Sequence, residues 1–307
     1  MVKYDRSINA FLFMRVGKTA DIMDSYKNDY IKFTCPANWI HYAISQRNGT
    51  IGDPYECSFA NVREDDPRID NLTDAHGRPM GNHLLVLNNK NTHTSLLCYL
   101  PVILRPTICL YSFNYDELYN KYESIGPYKD KWIKYSLDKY RSSIGYNEDE
   151  ASFLFIHDPI NFVRELIDLI PKTVKENADI LTDERFDSSN NAIQSLDVNN
   201  VNYHIHQANE LFFDNPRTPD VMYWKLPKFE WQSEIRLTMI NTNFKQGNVN
   251  GIEKYDYKQN ELKVYFPNFK NYATVYSAKD AHSLKFNNFK KKDRLVDFTV
   301  LPEKIKI

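Results

Sequence analysis

The chain has 307 residues and a formal net charge of −1, with 39 Lys and Arg against 40 Asp and Glu. That balance excludes a uniformly basic surface for non-specific nucleic-acid binding, while a local basic patch stays open. Hydrophobic residues at 42% and charged residues at 26% are those of a globular chain long enough to bury a sizeable core.

Two biases stand out: 21 Tyr and 18 Phe against only 9 Gly, and an excess of Asn and Lys that fits an AT-rich genome. Large rings suit β-rich cores and stacking sites. Cys35, Cys57, Cys98 and Cys109 have no metal-ligand spacing and read as free thiols in a reducing compartment. The first residues, MVKYDRSINAFLFMRVGK, lack the apolar run of a signal peptide. No stretch approaches the ~18–20 apolar residues of a membrane span. The expectation is a cytoplasmic protein with no membrane partner.

In chain order, Phe13-Met14-Arg15-Val16-Gly17-Lys18 reads as a short strand before a helix over 19–29. Residues 30–34 alternate as a strand, which Cys35-Pro36-Ala37-Asn38-Trp39 breaks. Asn-Gly and Gly-Asp-Pro make 46–56 a loop, and 61–82 is a polar excursion or wide hairpin. Strands are predicted at 83–87, 95–104 and 107–113, the last a buried one, and helical spacing at 115–141. A strand or short helix covers 148–157, and Asp158-Pro159 opens a helix with Phe162, Leu166, Ile167 and Ile170 on one face. Residues 182–200 read as an Asn/Ser-rich loop, 201–214 as helical and 215–228 as Pro-punctuated. Strands follow at 230–241, 261–266 and 272–276, then a basic tail. With no regular βαβ alternation, the pattern favours an α+β fold. No composition break divides the chain, so a single domain over 1–307 is expected, with insertions near 61–82 and 182–200.

The residues that can carry chemistry are few. If 230–241 is one strand, Gln232, Glu234 and Arg236 share a face. A Glu there can accept from a ribose hydroxyl and stabilise an oxocarbenium-like charge, and a Gln can orient a nucleophile. An exposed polar strand face is the plainer reading. Arg15 can grip a pyrophosphate with its fork of donors, or make a surface ion pair. Tyr111 and Ser112, at the end of an apolar run, can stack on a ring and hold a ribose, or simply end a strand. Asn38, Asp53 and Glu56 lie in turn-rich sequence; the carboxylates can serve a metal or substrate hydroxyls, or cap turns. His204 and His206 share a strand face in the manner of zinc ligands, but no third ligand completes a site by spacing. The run from Lys285 to Arg294, with Phe286 and Phe289, suits nucleic-acid contacts or a solvated tail.

The order of these features gives a resemblance. An early strand bearing Arg, a middle strand bearing an aromatic–Ser pair and a late strand bearing Gln-x-Glu resemble the Arg–Ser–Glu arrangement of ADP-ribosyltransferases. YIKFTCPANW…GDPYE and KFEWQSEIR are also similar to a widespread, poorly characterised bacterial family with a late Trp-x-x-Glu-x-Arg motif; here Gly52-Asp53-Pro54 stands in place of the usual Asn-Asp-Pro.

The resemblance implies split antiparallel sheets around an NAD cleft with peripheral helices. Catalytic Glu234 would bond the nicotinamide ribose, and Gln232 would position the acceptor. Arg15 would bind the pyrophosphate or ribose, and Ser112 would brace Glu234 beside Tyr111. Asn38 and Asp53 would belong to the same cofactor-binding region. NAD would be the substrate and no metal is needed. The expected protein is an intracellular bacterial toxin or phage-defence effector with an RNA, DNA or protein acceptor and an antitoxin or inhibitor partner. Alternatives are an NAD glycohydrolase, a metal-dependent nuclease using Asp53, Glu56 and Glu234, and a non-catalytic binding module.

Overall fold

The structure, a computed structural model, describes residues 8, 10–45, 56–73, 77, 79–89, 93–114, 137–140, 150–182, 195–203, 219–225, 227–245, 261–287 and 301–304. Strand β1 (Ala10–Lys18) starts in buried apolar sequence and becomes exposed toward Lys18, where α1 (Thr19–Lys27) begins. After β2 (Tyr30–Thr34), the expected break at Pro36 is itself a helix start, α2 (Pro36–Ser45). Proline is at home there, because the first helical N–H has no intrahelical partner to lose.

Strands β3 (Ser58–Arg63), β4 (Leu84–Asn89) and β5 (Thr94–Tyr99) form a small antiparallel sheet with β5 in the middle. The predicted strand over 95–104 ends early, because Pro101 turns it into the short helix α3 (Leu100–Ile103). The expected polar excursion over 61–82 overlaps β3 and also holds a 3-10 turn at Ile69–Asn71.

Next come β6 (Thr107–Asn114), β7 (Ala151–Ile156) and helix α4 (Pro159–Glu176). Asp158 caps α4 by accepting from the backbone N–H of Asn161. Phe162, Leu166 and Ile170 are buried along its inner face, each stabilising by roughly 1.5–3 kcal/mol. The remaining strands are β8 (Leu181–Thr182), β9 (Ser195–Asn200), β10 (Asn202–Tyr203), β11 (Trp224–Lys225), β12 (Glu234–Ile240), β13 (Asn243–Phe244) and β14 (Glu261–Tyr265). Helix α5 (Phe269–Tyr272), β15 (Ala273–Ser277), β16 (Leu284–Asn287) and β17 (Leu301–Lys304) follow. The fold is α+β, with sheets mostly antiparallel; β10 and β11 pair in parallel.

The 8-stranded main sheet is organised around β6. One edge of β6 pairs with β1 from Ala10↔Asn114 to Met14↔Tyr111, and meets β2 at Thr34↔Thr107. Between those points β1 and β2 part. β1 continues beside β7, which carries β15, and β2 carries β14. The other edge of β6 pairs with β12, which carries β9. The three strands β1–β7–β15 thus join the five strands β14–β2–β6–β12–β9 only along the first part of β1.

The two faces of β6 and β12 differ. Ile108, Leu110, Ile235 and Leu237 enter the same apolar core as α4. The opposite face carries Thr107, Cys109 and Tyr111 on β6, and Glu234, Arg236 and Thr238 opposite them on β12. Asp197 and Asn199 of β9 stand opposite Thr238 and Arg236.

This explains why the predicted loop over 182–200 contains a strand: Leu196 faces the apolar core while the polar residues face a buried polar layer. In the predicted helix over 201–214, Asn202 and Tyr203 are instead strand. Among the described residues no helix is long and apolar enough to cross a membrane.

Candidate functional site

The strand expected over 230–241 begins only at Glu234. Pro227–Gln232 forms a 3-10 turn, and Ser233 takes φ +42, a left-handed conformation unusual for a residue with a Cβ. Gln232 therefore does not share a strand face with Glu234, which corrects the sequence reading. Its carbonyl accepts from the Tyr140 hydroxyl at 2.6 Å, while its side-chain Oε1 is buried without a hydrogen-bond partner. Glu234 and Arg236 do share a face, as the period-two alternation requires.

That face holds a buried ionic quartet. Glu234 Oε1 accepts from Arg236 Nε at 2.6 Å, and Oε2 from Lys225 Nζ at 2.8 Å. Arg236 Nη2 also donates to Glu56, Nη1 donates to the Met222 carbonyl, and Lys225 stands 3.7 Å from Glu56. Glu234 is 3% exposed, Lys225 6% and Arg236 0%. Two carboxylates balance two cations, so the desolvation of each charge is offset by a partner in contact.

Burial alone would raise the Glu234 pKa, but Arg236 and Lys225 outweigh it and hold the carboxyl at about 2. Burial would lower Arg236, and Glu234 and Glu56 reverse that. The neighbouring thiol of Cys57 is pushed up by burial.

The quartet also gathers the distant segments that carried the second resemblance. The Arg236 guanidinium lies over the Trp39 ring at 5.4 Å, and the Trp39 indole donates to Thr34. Glu56 arrives from just before β3. The Tyr203 hydroxyl accepts from the backbone N–H of Glu234 at 2.9 Å, and Tyr203 is the bridge partner of Lys225. Sequence reasoning missed Lys225 and Tyr203. Neither carries a local signal, one lying in Pro-punctuated sequence and the other in an apparent helix.

Tyr111 stands directly opposite Glu234 and packs tilted against Tyr140, ring centroids 3.9 Å apart, and Tyr140 in turn meets Trp231 at 4.9 Å. Ser112 pairs instead with Phe13, so its side chain belongs to the opposite face of β6 from Glu234. Its hydroxyl donates to Asn114 Oδ1. Ser112 is tied to the site through its backbone N–H, which donates to the carbonyl of Ser233 at 2.9 Å. Asn38 lies in α2, where its Oδ1 accepts from the Cys35 thiol at 3.4 Å. Asp53, His204, His206 and the basic run beyond Asn287 lie outside the described residues.

Arg15 is the first residue of β1 beyond its pairing with β6. Its guanidinium makes no hydrogen bond or ion pair among the described residues. Burial pulls its pKa below the ordinary value, only partly offset by Cys109, Asp21, Tyr30 and Glu261. Arg15 is only half-buried, so its guanidinium keeps donors open to solvent or to an anionic ligand.

Compared with family models, curated proteins and solved structures, the chain matches none of them.

Proposed function

We propose that this protein transfers ADP-ribose from NAD⁺ to a nucleic-acid or protein acceptor. The observation that carries the reading is the half-buried Arg15 guanidinium at the parting of β1 and β2, without a carboxylate in contact among the described residues. Glu234 begins the strand on the other edge of β6, and Arg15, in phase with Phe13, starts from the opposite face of the sheet, so a ligand that meets both must pass through the gap between β1 and β2. The division of the sheet into a three-stranded and a five-stranded antiparallel part supports an ADP-ribosyltransferase-like arrangement around a cleft.

In the reaction, Arg15 holds the pyrophosphate through paired N–H donors. Glu234 keeps lone pairs beyond the two already used, and with these it accepts from a ribose hydroxyl. Nicotinamide leaves with the electron pair of its bond to the ribose carbon. The acceptor's nucleophile forms the new bond there and releases its proton to solvent. The negative field of Glu234 stabilises the oxocarbenium-like carbon between the two events.

A second reading, a non-catalytic binding module, is favoured by the double pairing of Glu234, which is also what a purely structural charge would show. The test incubates purified protein with labelled NAD⁺ and, separately, RNA, DNA and cell lysate, without divalent ions. Wild type, Glu234→Ala and Arg15→Ala are compared. Transfer by wild type alone supports the reading and gives the acceptor class. Nicotinamide release without transfer indicates a glycohydrolase. No turnover and no NAD⁺ binding by folded wild type sinks the transferase reading in favour of the binding module.

A further inference from the structure

Glu234 is 3% exposed, and both of its oxygens are taken by Arg236 and Lys225. The groups a ligand meets first at this carboxylate are therefore its half-buried neighbours. Two of these are tyrosines, Tyr111 and Tyr203, one on each side of β12.

Tyr111 lies directly across from Glu234 on β6. Ser112 sends its backbone N–H to Ser233, so by alternation the N–H and C=O of Tyr111 turn away from β12. Tyr111 and Glu234 are thus a pair without mutual backbone bonds, the kind whose side chains stand closest, with Cα atoms about 4.5 Å apart. The Tyr111 ring packs against Tyr140, and its hydroxyl has no hydrogen-bond partner among the described residues.

Tyr203 comes from the β9 side, where the Glu234 carbonyl also accepts from Val201. Its hydroxyl accepts from the Glu234 N–H at 2.9 Å, but its own O–H meets no acceptor among the described residues. Burial keeps both phenols above their ordinary pKa, so each holds its proton at neutral pH. Two O–H donors that folding leaves unspent flank one buried carboxylate.

Charge decides what they suit. Lys225 and Arg236 are both engaged by carboxylates, and the quartet is neutral, so nothing here offers a cation to a phosphate. Neutral donors beside a carboxylate fit hydroxyl groups, whose oxygens accept from the phenols and whose protons go to Glu234 or water.

We infer that Tyr111 and Tyr203 are paired hydrogen-bond donors to sugar hydroxyls, and that they select a sugar bearing both ring hydroxyls over a deoxy sugar. This rests on the transferase reading, in which the sugar is the ribose that carries nicotinamide and the diphosphate lies toward Arg15.

Calorimetric titration of wild type, Tyr111→Phe, Tyr203→Phe and Arg15→Ala tests it with three probes. These are NAD⁺, its analogue whose nicotinamide-bearing sugar lacks both hydroxyls, and inorganic pyrophosphate. Wild type should prefer NAD⁺ to the deoxy analogue by at least about fourfold. Each Phe variant should weaken NAD⁺ by about two- to tenfold and shrink that preference by the same factor, with pyrophosphate unchanged. A tyrosine that only supports the fold would weaken both nucleotides alike and leave the preference intact.

An undiminished preference in the folded Phe variants, or equal weakening of pyrophosphate, overturns the inference. Tyr203→Phe strips the acceptor from the Glu234 N–H and is the variant at risk of misfolding; Tyr111→Phe breaks no hydrogen bond among the described residues and carries the test by itself. If NAD⁺ binds, Arg15→Ala weakens it and the Phe variants do not respond, this inference alone falls. If NAD⁺ does not bind folded wild type at all, the transferase reading falls and takes this inference with it.

Discussion

Arg236 and Arg15 sit on strands that border the same β6, and their surroundings are opposite. Arg236 is fully buried and contacts two carboxylates, a carbonyl and an indole face. Arg15 is half-buried and contacts no carboxylate among the described residues. The first pattern is that of a charge serving the fold. The second is that of a charge the fold leaves available to a ligand.

The largest expected effect breaks the paired side. Arg236→Met leaves Glu56 and Glu234 sharing Lys225, with one buried negative charge in excess. The loss should be about 3–5 kcal/mol, read from the midpoint of urea unfolding. A loss below about 1 kcal/mol would mean that the quartet does not hold β3 and β12 together.

The next effect is acidic. The Glu234 carboxyl is depressed from 4.5 to about 2 in the folded protein. Because the folded value is the lower one, its stabilisation is complete above the unfolded value and is lost as pH falls from about 4.5 toward 2. Urea midpoints of wild type and Glu234→Gln should converge across that window by roughly 2–4 kcal/mol. Parallel curves would show that the carboxylate is not held by its two cations.

The same Arg→Met exchange at Arg15 should cost far less. Arg15→Met removes a half-buried charge with no partner among the described residues to orphan, so stability should change by less than about 1 kcal/mol. NAD⁺ binding, measured by calorimetry, should be lost. If Arg15→Met destabilises as Arg236→Met does, the contrast between the two arginines is wrong and Arg15 is structural.

The sequence made the β6 and β14 strands, helix α4 and the common face of Glu234 and Arg236 legible, because each rests on a local period. Arg15, at the end of an apolar run before a helix, was legible for the same reason. What closes the site was not. Glu56 read as a turn carboxylate, since its partner Arg236 lies 180 residues away and leaves no period to read, and Lys225 read as part of a Pro-rich connection because a 3-10 turn and not one periodic element separates it from Glu234. The strand β9 was hidden because Asp197 and Asn199 face a buried polar layer, where Tyr223 donates to Asp197. Polar residues in sequence ordinarily signal solvent, and here they signal other polar groups. Gln232 failed for a different reason: nothing in Trp-Gln-Ser-Glu says that the chain turns through a left-handed residue at Ser233.

That residue sets the smallest and most local test. Ser233 donates its N–H to the Glu230 carbonyl, and its own carbonyl accepts from Ser112. The +42 φ is thus fixed from both sides, and it aims Glu234 at Arg236 and Lys225 instead of continuing the 3-10 turn. Glycine adopts this conformation without a Cβ penalty, so Ser233→Gly should cost little and can gain about 0.5 kcal/mol. Ser233→Val should lose at least about 1 kcal/mol, because a β-branched residue resists positive φ. If NAD⁺ turnover follows stability through this pair, the turn only supports the fold. If Ser233→Gly keeps its stability but turnover falls, the rigid aim of Glu234 is what the strain provides, and the charged quartet serves the reaction as well as the fold.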